Sequence, residues 1–320
     1  MSQELLMVRV VDRQDEAAGI ASFELASPDG GLPPFTAGSH IDVHVAPGLI
    51  RQYSLFNSPN ERHRYRIAVL REEHGRGGSA AMHEHVRVGR LLPISHPRNA
   101  FELDASARHS LLLAGGIGIT PILAMAESLV KAGQSFSLDY CCRSKDRAAF
   151  LERLSQSDIA SRVHAHFDDG DSDQRLDLDA ILQAAADNSH LYVCGPTGFM
   201  DFVIAKAQAV LPAAAIHREY FSASGNPSHS GDAAFVVRLA RSGLTLEVPA
   251  DKSIASVLTA NGVDVSLSCE QGICGTCLVR VVSGIPDHRD SYLTAVEHAE
   301  NREMTICCSR ALTPVLEIDL

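Results

Sequence analysis

The spacing of apolar residues divides the chain into three stretches of different character. In the first, short runs such as 40–45 and 65–69 alternate apolar and polar side chains, which is typical of half-buried strands. In the second, the run 110–114 is almost continuously apolar, which indicates a parallel strand buried on both faces. In the third, the strand-like region 235–248 precedes a helix and a cysteine-rich loop.

These patterns predict a multidomain protein. Residues 1–102 carry strands densely punctuated by Gly, Pro and Asn, which predicts an antiparallel β-barrel. Residues 103–225 alternate strands with helices, which predicts a doubly wound α/β domain with a ligand crevice at the carboxyl ends of its strands. A polar linker at 226–233 is followed by 234–320, which has the small α+β layout of a β-grasp ferredoxin.

The elements of the middle domain are predicted from its apolar runs. Thr120 is expected to cap the first helix, Pro121 to occupy its first position and Gly133 to follow its end. The remaining strands are predicted at 136–142, 163–167, 191–194 and 216–221, and the remaining helices near 145–154, 177–186 and 198–211.

Four cysteines form the most specific motif of the chain. Cys269, Cys274 and Cys277 have C-x4-C-x2-C spacing, and Cys307 follows about thirty residues later, which is the plant-type [2Fe–2S] ligand pattern. The ligand loop must bend sharply and point amides at sulfur, so Gly272 and Gly275 are expected to adopt positive φ.

Two alternatives to this ligand set stay open. Zinc sites usually pair two short C-x2-4-C knuckles, whereas here three cysteines share one loop and the fourth is distant. The spacing therefore favours iron–sulfur over zinc. Cys308 follows Cys307 directly, and we expect it to be a small buried side chain rather than the fourth ligand.

Two pieces of the first domain favour a flavin phosphate site. In R-Q-Y-S-L, alternation places Arg51 and Tyr53 on one face of a strand, so that a guanidinium for a phosphate stands beside a ring for a flat heterocycle. The second piece is the glycine-rich turn around Gly77, Gly78 and Ser79, which leads into a helix whose free N–H groups suit an anion. The alternative is a flexible loop in which Ser79 is an ordinary N-cap.

Two loops of the middle domain follow predicted strands. Gly115, Gly116 and Gly118 belong to the loop G-G-I-G-I-T-P, which is not the G-x-G-x-x-G fingerprint but would still allow close approach of a dinucleotide. The second loop is Cys194-Gly195-Pro196. Cys194 is either a contact of the nicotinamide or a buried structural thiol.

Charge and composition exclude several classes of function. The net charge of −11 and pI of about 5.7 disfavour nucleic acid, whose binding requires basic side chains. Residues 232–320 hold 12 acidic and 7 basic side chains, a net charge of −5, which suits either solubility or an acidic face for an electron-transfer partner. With no membrane span, signal peptide or disulfide framework in the sequence, we expect a reduced, cytoplasmic protein.

The order of these motifs resembles the phthalate dioxygenase reductase family, which includes the vanillate demethylase reductases. The resemblance rests on R-Q-Y-S-L, G-R-G-G-S, G-G-I-G-I-T-P, C-G-P and C-x4-C-x2-C with C-x-S-R-A, and it covers nearly the whole chain. It implies a flavin barrel, a nicotinamide domain and a C-terminal ferredoxin. FMN rather than FAD rests on the resemblance alone.

The resemblance also implies roles for individual residues. Arg51 would bind the flavin phosphate, Tyr53 would cover the isoalloxazine, and the Ser54 hydroxyl would lie near flavin N5. Phe221 would place an aromatic ring near the flavin. Residues implied for the FMN phosphate are Gly77, Gly78 and Ser79, and those implied for the nicotinamide nucleotide are Gly115, Gly116, Gly118, Thr120, Cys194, Gly195 and Pro196.

The function implied is transfer of electrons from NADH through FMN and the [2Fe–2S] cluster to a Rieske oxygenase component. Such a partner would be an aromatic-ring dioxygenase or an O-demethylase, docking near the cluster of a monomeric reductase. NADH yields a hydride and the cluster accepts one electron, so the flavin is the necessary converter. The alternatives are a stand-alone reductase of quinone, ferric or haem acceptors and a non-enzymatic redox sensor or carrier.

The sequence favours NADH over NADPH. Asp168 and Asp169 follow the predicted strand 163–167, where one carboxylate is placed to bond a ribose hydroxyl and to repel a 2′-phosphate. Arg143, Lys145 and Arg147 after the preceding strand are the competing phosphate partners, or else a solvated helix start.

Overall fold

The computed structural model describes residues 5–73, 75, 77–171, 174–185, 187–221 and 232–320. These fall into two compact units, Met1–Phe221 and Ser222–Leu320. Most of the predicted linker at 226–233 lies outside the described residues. No helix in the described ranges is long and apolar enough to cross a membrane.

The first sheet is antiparallel and has seven strands in the order β4-β3-β6-β1-β2-β5, with β7 paired to β3. An isolated antiparallel bridge between Leu55 and Ile67 joins the two ends of this order. The helix α1 is Gly78–His85. The strands are β1 Leu6–Ala17, β2 Ile20–Ala26, β3 Ser39–Ala46, β4 Leu49–Ser54, β5 Tyr65–Leu70, β6 Leu91–Ile94 and β7 Arg98–Asn99.

The core of this sheet is formed by alternate side chains, which point to the same face of each strand. The inward residues of several strands, among them Phe23, Ile41 and Ile67, are completely buried and share one apolar cluster. The pairing of β3 with β4 sets His40 directly opposite Ser54. The register therefore puts these two polar side chains on the same face of the sheet.

The second sheet is parallel, with five strands in the order β10-β9-β8-β11-β12. Its strands are β8 His109–Gly115, β9 Ser135–Cys142, β10 Val163–Phe167, β11 Ser189–Cys194 and β12 Ile216–Glu219. Its helices are α2 Ile119–Lys131, α3 Leu151–Gln156, α4 Leu178–Gln183 and α5 Thr197–Ala207. The chain reverses direction across the sheet between β8 and β11, so the ligand crevice is expected beyond the carboxyl ends of these two strands.

The parallel sheet confirms most of the predicted strands, but two local predictions were wrong. The single helix predicted at 145–154 is interrupted at Phe150, which takes φ 65° and packs its ring 4.7 Å from that of Phe56. A contact with the other sheet thus overrides local helix propensity. Helix α2 begins at Ile119 with Gly118 as its cap, so Thr120 lies inside the helix and donates to the carbonyl of Ile117 at 3.1 Å.

The second unit holds a five-stranded sheet in the order β14-β13-β19-β15-β17 and a separate pair of β16 with β18. Ser253 caps the helix Ile254–Ala260, because its side chain accepts a hydrogen bond from the amide of Ser256. The strands are β13 Phe235–Leu239, β14 Thr245–Val248, β15 Leu278–Ser283, β16 Pro286–Asp287, β17 Glu303–Thr305, β18 Arg310–Ala311 and β19 Val315–Ile318, and the helices are α6 Ile254–Ala260 and α7 Ala295–Glu300.

Candidate functional site

The four predicted cluster ligands come together in the second unit. The thiol of Cys269 makes hydrogen-bonding contacts with those of Cys274 and Cys307, and these neighbours lower its pKa despite burial. The thiol of Cys307 also contacts that of Cys277. Three residues of one loop and one from a distant segment therefore present sulfur atoms to a single point, as a two-iron cluster requires.

Two glycines allow the backbone of the cysteine loop to turn sharply. Gly272 and Gly275 have φ of 70° and 69°, which confirms the predicted positive values. A Cβ atom on Gly272 would overlap the sulfur of Cys308 and lie 2.9 Å from the Cα of Asp290, and one on Gly275 would overlap the ring of Tyr292. The loop thus needs glycine both for its conformation and for the space around it.

Hydrogen-bond donors surround the sulfur atoms of the loop. The amide of Gln271 lies 3.3 Å from Cys269 Sγ, and the amide of Thr276 lies 3.4 Å from Cys274 Sγ. Donors of this kind offset the negative charge of thiolates. The residues present therefore fit a [2Fe–2S] cluster.

Cys308 has different surroundings from the four thiols. Its sulfur lies 3.2 Å from Thr305 Oγ1 and 3.9 Å from Ser309 Oγ, in addition to its contact with Cys307. It is buried between these hydroxyl groups and Gly272. This placement favours a packing role for Cys308, as expected from the sequence.

An anion cradle lies where β4 meets α1. The side chain of Arg51 runs across Gly78, so closely that a Cβ atom there would overlap Arg51 Nε and Cγ. Gly77 precedes the helix with φ 78° and has no side chain to cover the free amides of the first turn. A guanidinium and a helix N-terminus thus share one position, which fits a phosphate group.

The hydroxyl of Ser79 has a structural role instead of the N-cap considered from the sequence. It lies in the first turn of α1 and accepts a hydrogen bond of 3.0 Å from the amide of Glu72. Tyr53, two residues beyond Arg51, has a buried hydroxyl with no hydrogen-bond partner among the described residues. Burial raises the pKa of Tyr53 well above its usual range, which Arg51 partly opposes.

Ser54 contacts Glu219, which in turn faces His40, and sequence reasoning missed both of these residues. Its Oγ donates to Glu219 Oε2 at 3.2 Å, and Glu219 Oε1 lies 3.7 Å from Nδ1 of His40. Glu219 ends the last strand of the parallel sheet, so the contact joins the two sheets of the first unit. The motif E-Y-F next to the predicted Phe221 was the only sequence signal available. Phe221 itself is half-buried and packs against the core of the parallel sheet.

The two predicted nucleotide loops pack directly on each other at the chain reversal. A Cβ atom on Gly118 would overlap the carbonyl of Cys194, and one on Gly195 would lie 2.9 Å from the Cα of Gly115. A Cβ atom on Gly115 would also lie 2.9 Å from Cδ of Pro196. The ring of Phe199 closes the space beside Gly115 and Gly195, because a Cβ atom on either would lie 2.8 Å from its Cδ1. The close approach of the two loops places them together at the chain reversal, where a crevice for a dinucleotide is expected.

Cys194 is completely buried at the end of β11. Burial raises the pKa of its thiol well above the usual range, and the neighbouring Glu219 raises it further. The thiol therefore stays protonated at neutral pH, which argues against a role as a nucleophile.

Asp168 directly follows the carboxyl end of β10, on the side of the parallel sheet where the nucleotide crevice is expected. It is exposed, and its amide donates to the carbonyl of Cys142 at 3.0 Å. The thiol of Cys142 in turn receives a hydrogen bond from the amide of Gly116. Asp168 is thus linked to the glycine loop through Cys142. Gly116 has φ 52°, and a Cβ atom at this position would have no neighbouring atom within 4 Å.

Comparison with known proteins gives two domain matches. Residues 237–312 match the family described as 2Fe-2S iron-sulfur cluster binding domain. Residues 112–204 match the family described as oxidoreductase NAD-binding domain. The chain is therefore an oxidoreductase with an iron–sulfur and a nucleotide-binding domain, as predicted.

Full-length relatives extend these matches. The chain is 52% identical over 307 residues to vanillate O-demethylase oxidoreductase of Pseudomonas sp. (strain HR199 / DSM 7063), covering 95% of this chain and 96% of that one. It is 41% identical to tetrachlorobenzoquinone reductase of Sphingobium chlorophenolicum, covering 95% and 94%. The solved structure of phthalate dioxygenase reductase aligns with a TM-score of 0.79 at 39% identity, covering 99% of this chain and 98% of that one. The chain belongs to the family of the phthalate dioxygenase and vanillate O-demethylase reductases.

Proposed function

We propose that this chain is the NADH-oxidising reductase component of an oxygenase system, with FMN and a [2Fe–2S] cluster as its electron carriers. The observation that carries the proposal is that one chain joins an NAD-binding domain to four adjacent thiols, three from one loop and one from a distant segment. When bound, FMN accepts two electrons from NADH together and releases them singly to the cluster. Family membership supports FMN as the flavin.

The first sheet supplies the flavin site. Arg51, with Gly77 and Gly78 at the start of α1, holds the phosphate, and Ser79 fixes the preceding turn. Tyr53 would cover the flavin ring, and Ser54 would present its hydroxyl to it. The bridge between Leu55 and Ile67 supports closure of this sheet into the predicted barrel at residues 1–102.

The parallel sheet supplies the nucleotide site within the proposed domain at 103–225. Its two glycine loops admit the dinucleotide at the chain reversal, and the buried thiol of Cys194 lies at the nicotinamide end. Thr120 fixes the start of α2 by its bond to Ile117. Asp168 would bond the ribose, and Phe221 would supply an aromatic ring to the flavin site.

The second unit supplies the route by which electrons leave. Cys269, Cys274, Cys277 and Cys307 bind the cluster within the proposed β-grasp domain at 234–320. The partner is the Rieske component of an aromatic-ring dioxygenase or O-demethylase, docking near the cluster on a monomeric reductase. The net charge of −5 in this part of the chain supports a basic docking face on the partner.

A second candidate is a stand-alone quinone reductase. It is favoured by the 41% identity to a tetrachlorobenzoquinone reductase over nearly the full length of both chains. The two candidates use the same NADH and flavin sites and differ in the acceptor.

The acceptor is tested by anaerobic rapid mixing of the loaded chain with NADH and either a purified oxygenase component or a quinone. We expect NADH to reduce the oxygenase component of a vanillate or phthalate system at catalytically competent rates. Cys307→Ser is expected to abolish that transfer while leaving reduction of the flavin by NADH intact, because only the exit route is lost. Rapid quinone reduction by both forms, with no transfer to either oxygenase, would establish the second candidate instead.

The choice of fourth ligand is tested by comparing Cys307→Ser with Cys308→Ser. We expect Cys307→Ser to lose the cluster and Cys308→Ser to keep it, because Cys307 contacts two other ligand thiols whereas Cys308 faces hydroxyl groups. Iron and acid-labile sulfide assays measure both. Retention of iron and sulfide by Cys307→Ser alone would reverse the assignment.

The phosphate role of Arg51 is tested by Arg51→Ala. Loss of one charge-assisted contact costs about 1.5–3 kcal/mol, so FMN affinity should fall roughly 10- to 100-fold. Arg66→Ala is the matched control, since this arginine of the same sheet is ion-paired with Glu24 at 2.8 Å. FMN retention on dilution measures the effect, and equal retention by both variants would refute the role.

The role of Asp168 is tested by the ratio of kcat/KM for NADH and NADPH. We expect wild type to favour NADH, and Asp168→Asn to lower the ratio about tenfold because the carboxylate no longer repels a 2′-phosphate. Asp169→Asn is the control on the neighbouring residue. A wild-type ratio near one would show that Arg143 and Lys145 decide the specificity.

A further inference from the structure

His40 is a buried side chain with one unused nitrogen. It is 7% exposed, and its Nε2 atom has no hydrogen-bond partner among the described residues. Its Nδ1 faces Glu219 Oε1 at 3.7 Å. A proton on Nε2 would find no acceptor there, so the tautomer that carries the proton on Nδ1, toward the carboxylate, is favoured.

The Glu219 carboxylate is largely buried and has few polar neighbours besides this histidine among the described residues. Its side chain is only 14% exposed, and His40 is its one ion-pair partner in the described part of the chain. Burying a carboxylate without partners is costly, so each hydrogen bond it receives matters. Ser54 donates a hydrogen bond to Oε2, and Nδ1 of His40 lies 3.7 Å from Oε1.

Register ties the three residues together. His40 lies opposite Ser54 in the antiparallel pair, and Glu219 lies beside Cys194 at the ends of two parallel strands. The contact therefore crosses from one sheet to the other at the point where the proposed flavin and nicotinamide meet.

Other charged groups on the adjoining strands are engaged elsewhere. Arg98 of β7 lies opposite His40 in the pairing of β3 with β7. Its guanidinium donates to Asp42 Oδ2 at 2.7 Å. Arg218, next to Glu219, lies over the ring of Tyr220. The neighbouring titratable group on β11 is the thiol of Cys194, which stays protonated.

Oxidation of NADH by one-electron acceptors leaves a proton behind. NADH yields NAD⁺, one proton and two electrons, and the two electrons leave singly through the cluster, which carries no proton. The proton therefore leaves the proposed flavin site by a route separate from that of the electrons. In this route Ser54 Oγ accepts the proton while passing its own hydroxyl hydrogen to Glu219 Oε2 at 3.2 Å. The Glu219 side chain, which is 14% exposed, then releases a proton to water.

We propose that His40 is a positioning residue that holds the Glu219 carboxylate in place to receive this proton from Ser54. The inference rests on the proposed function, because it requires a flavin reduced by NADH beside Ser54. With His40 present, the hydroxyl of Ser54 donates to Glu219, and its oxygen is left as the acceptor for the proton.

The variants His40→Asn and His40→Leu separate hydrogen bonding from packing. Asparagine offers an amide nitrogen at the same branch position as imidazole Nδ1, whereas leucine fills the space without a donor. We expect His40→Asn to behave as wild type. We expect His40→Leu to slow proton release about tenfold or more, since positioned acid–base groups contribute roughly 10²–10⁴-fold.

Proton release is measured with a pH indicator in anaerobic rapid mixing, alongside reduction of flavin and cluster. Flavin content and its reduction by NADH should be unchanged in His40→Leu, and proton release should acquire a larger solvent isotope effect. Crystal structures of the FMN-loaded variants give a readout independent of turnover. The Ser54–Glu219 hydrogen bond should persist in His40→Asn and open in His40→Leu.

Two further variants complete the test. Glu219→Gln should slow proton release, and the double variant with His40→Leu should be no slower, because both act on one path. His44→Gln, on the same strand but opposite Ile50, should match wild type.

The measurements distinguish failure of the His40 positioning role from failure of the proposed function. If wild type reduces its flavin but His40→Leu releases protons at the wild-type rate, or His40→Asn is as slow as His40→Leu, the positioning role is overturned. If NADH does not reduce wild-type flavin at all, the proposed function fails instead.

Discussion

Each candidate site of this chain depends on a backbone that approaches another group more closely than a Cβ atom would permit. Gly78 lies under the Arg51 side chain, Gly118 lies against the carbonyl of Cys194, and Gly272 and Gly275 lie under Cys308 and Tyr292. Anions, dinucleotides and clustered thiolates all need backbone N–H groups or close-packed loops. The same absence of side chains therefore serves three kinds of cofactor contact.

The sites also depend on rigid strand ends. The two nucleotide loops begin where β8 and β11 end, and the order of the parallel sheet brings these ends together. Ser54 and Glu219 likewise end their strands, one in each sheet of the first unit. Function is thus concentrated where regular hydrogen bonding stops and side chains are held by the strands behind them.

Local pattern was enough to predict the elements that depend on neighbouring residues. The spacing of Cys269, Cys274 and Cys277 predicted one ligand loop, and the alternation around Arg51 predicted its strand, because both signals lie within a few residues. The strands of the parallel sheet were found for the same reason. The N-cap at Thr120 failed because Gly118, packed on Cys194, already starts the helix.

Contacts between segments that lie far apart in the sequence could not be predicted from local sequence patterns. His40 and Glu219 are far apart in sequence, and only the meeting of two sheets brings them within 3.7 Å. The break at Phe150 has the same origin, since its left-handed conformation is held by packing on Phe56. Single-sequence reasoning detects periodicity but not which periodic elements meet, so it singled out the cysteine and glycine loops and missed the polar pair between the sheets.

The central claim is that one chain carries a two-electron and a one-electron centre in series. Anaerobic titration of the purified, loaded protein with NADH, followed by absorbance and electron paramagnetic resonance, tests it most directly. Full reduction of a flavin and a [2Fe–2S] cluster takes three electrons, so the account predicts an end point of about 1.5 NADH per chain together with the signal of a reduced [2Fe–2S] cluster. An end point of about one NADH without that signal would mean that flavin and cluster do not act in series, and would contradict the account.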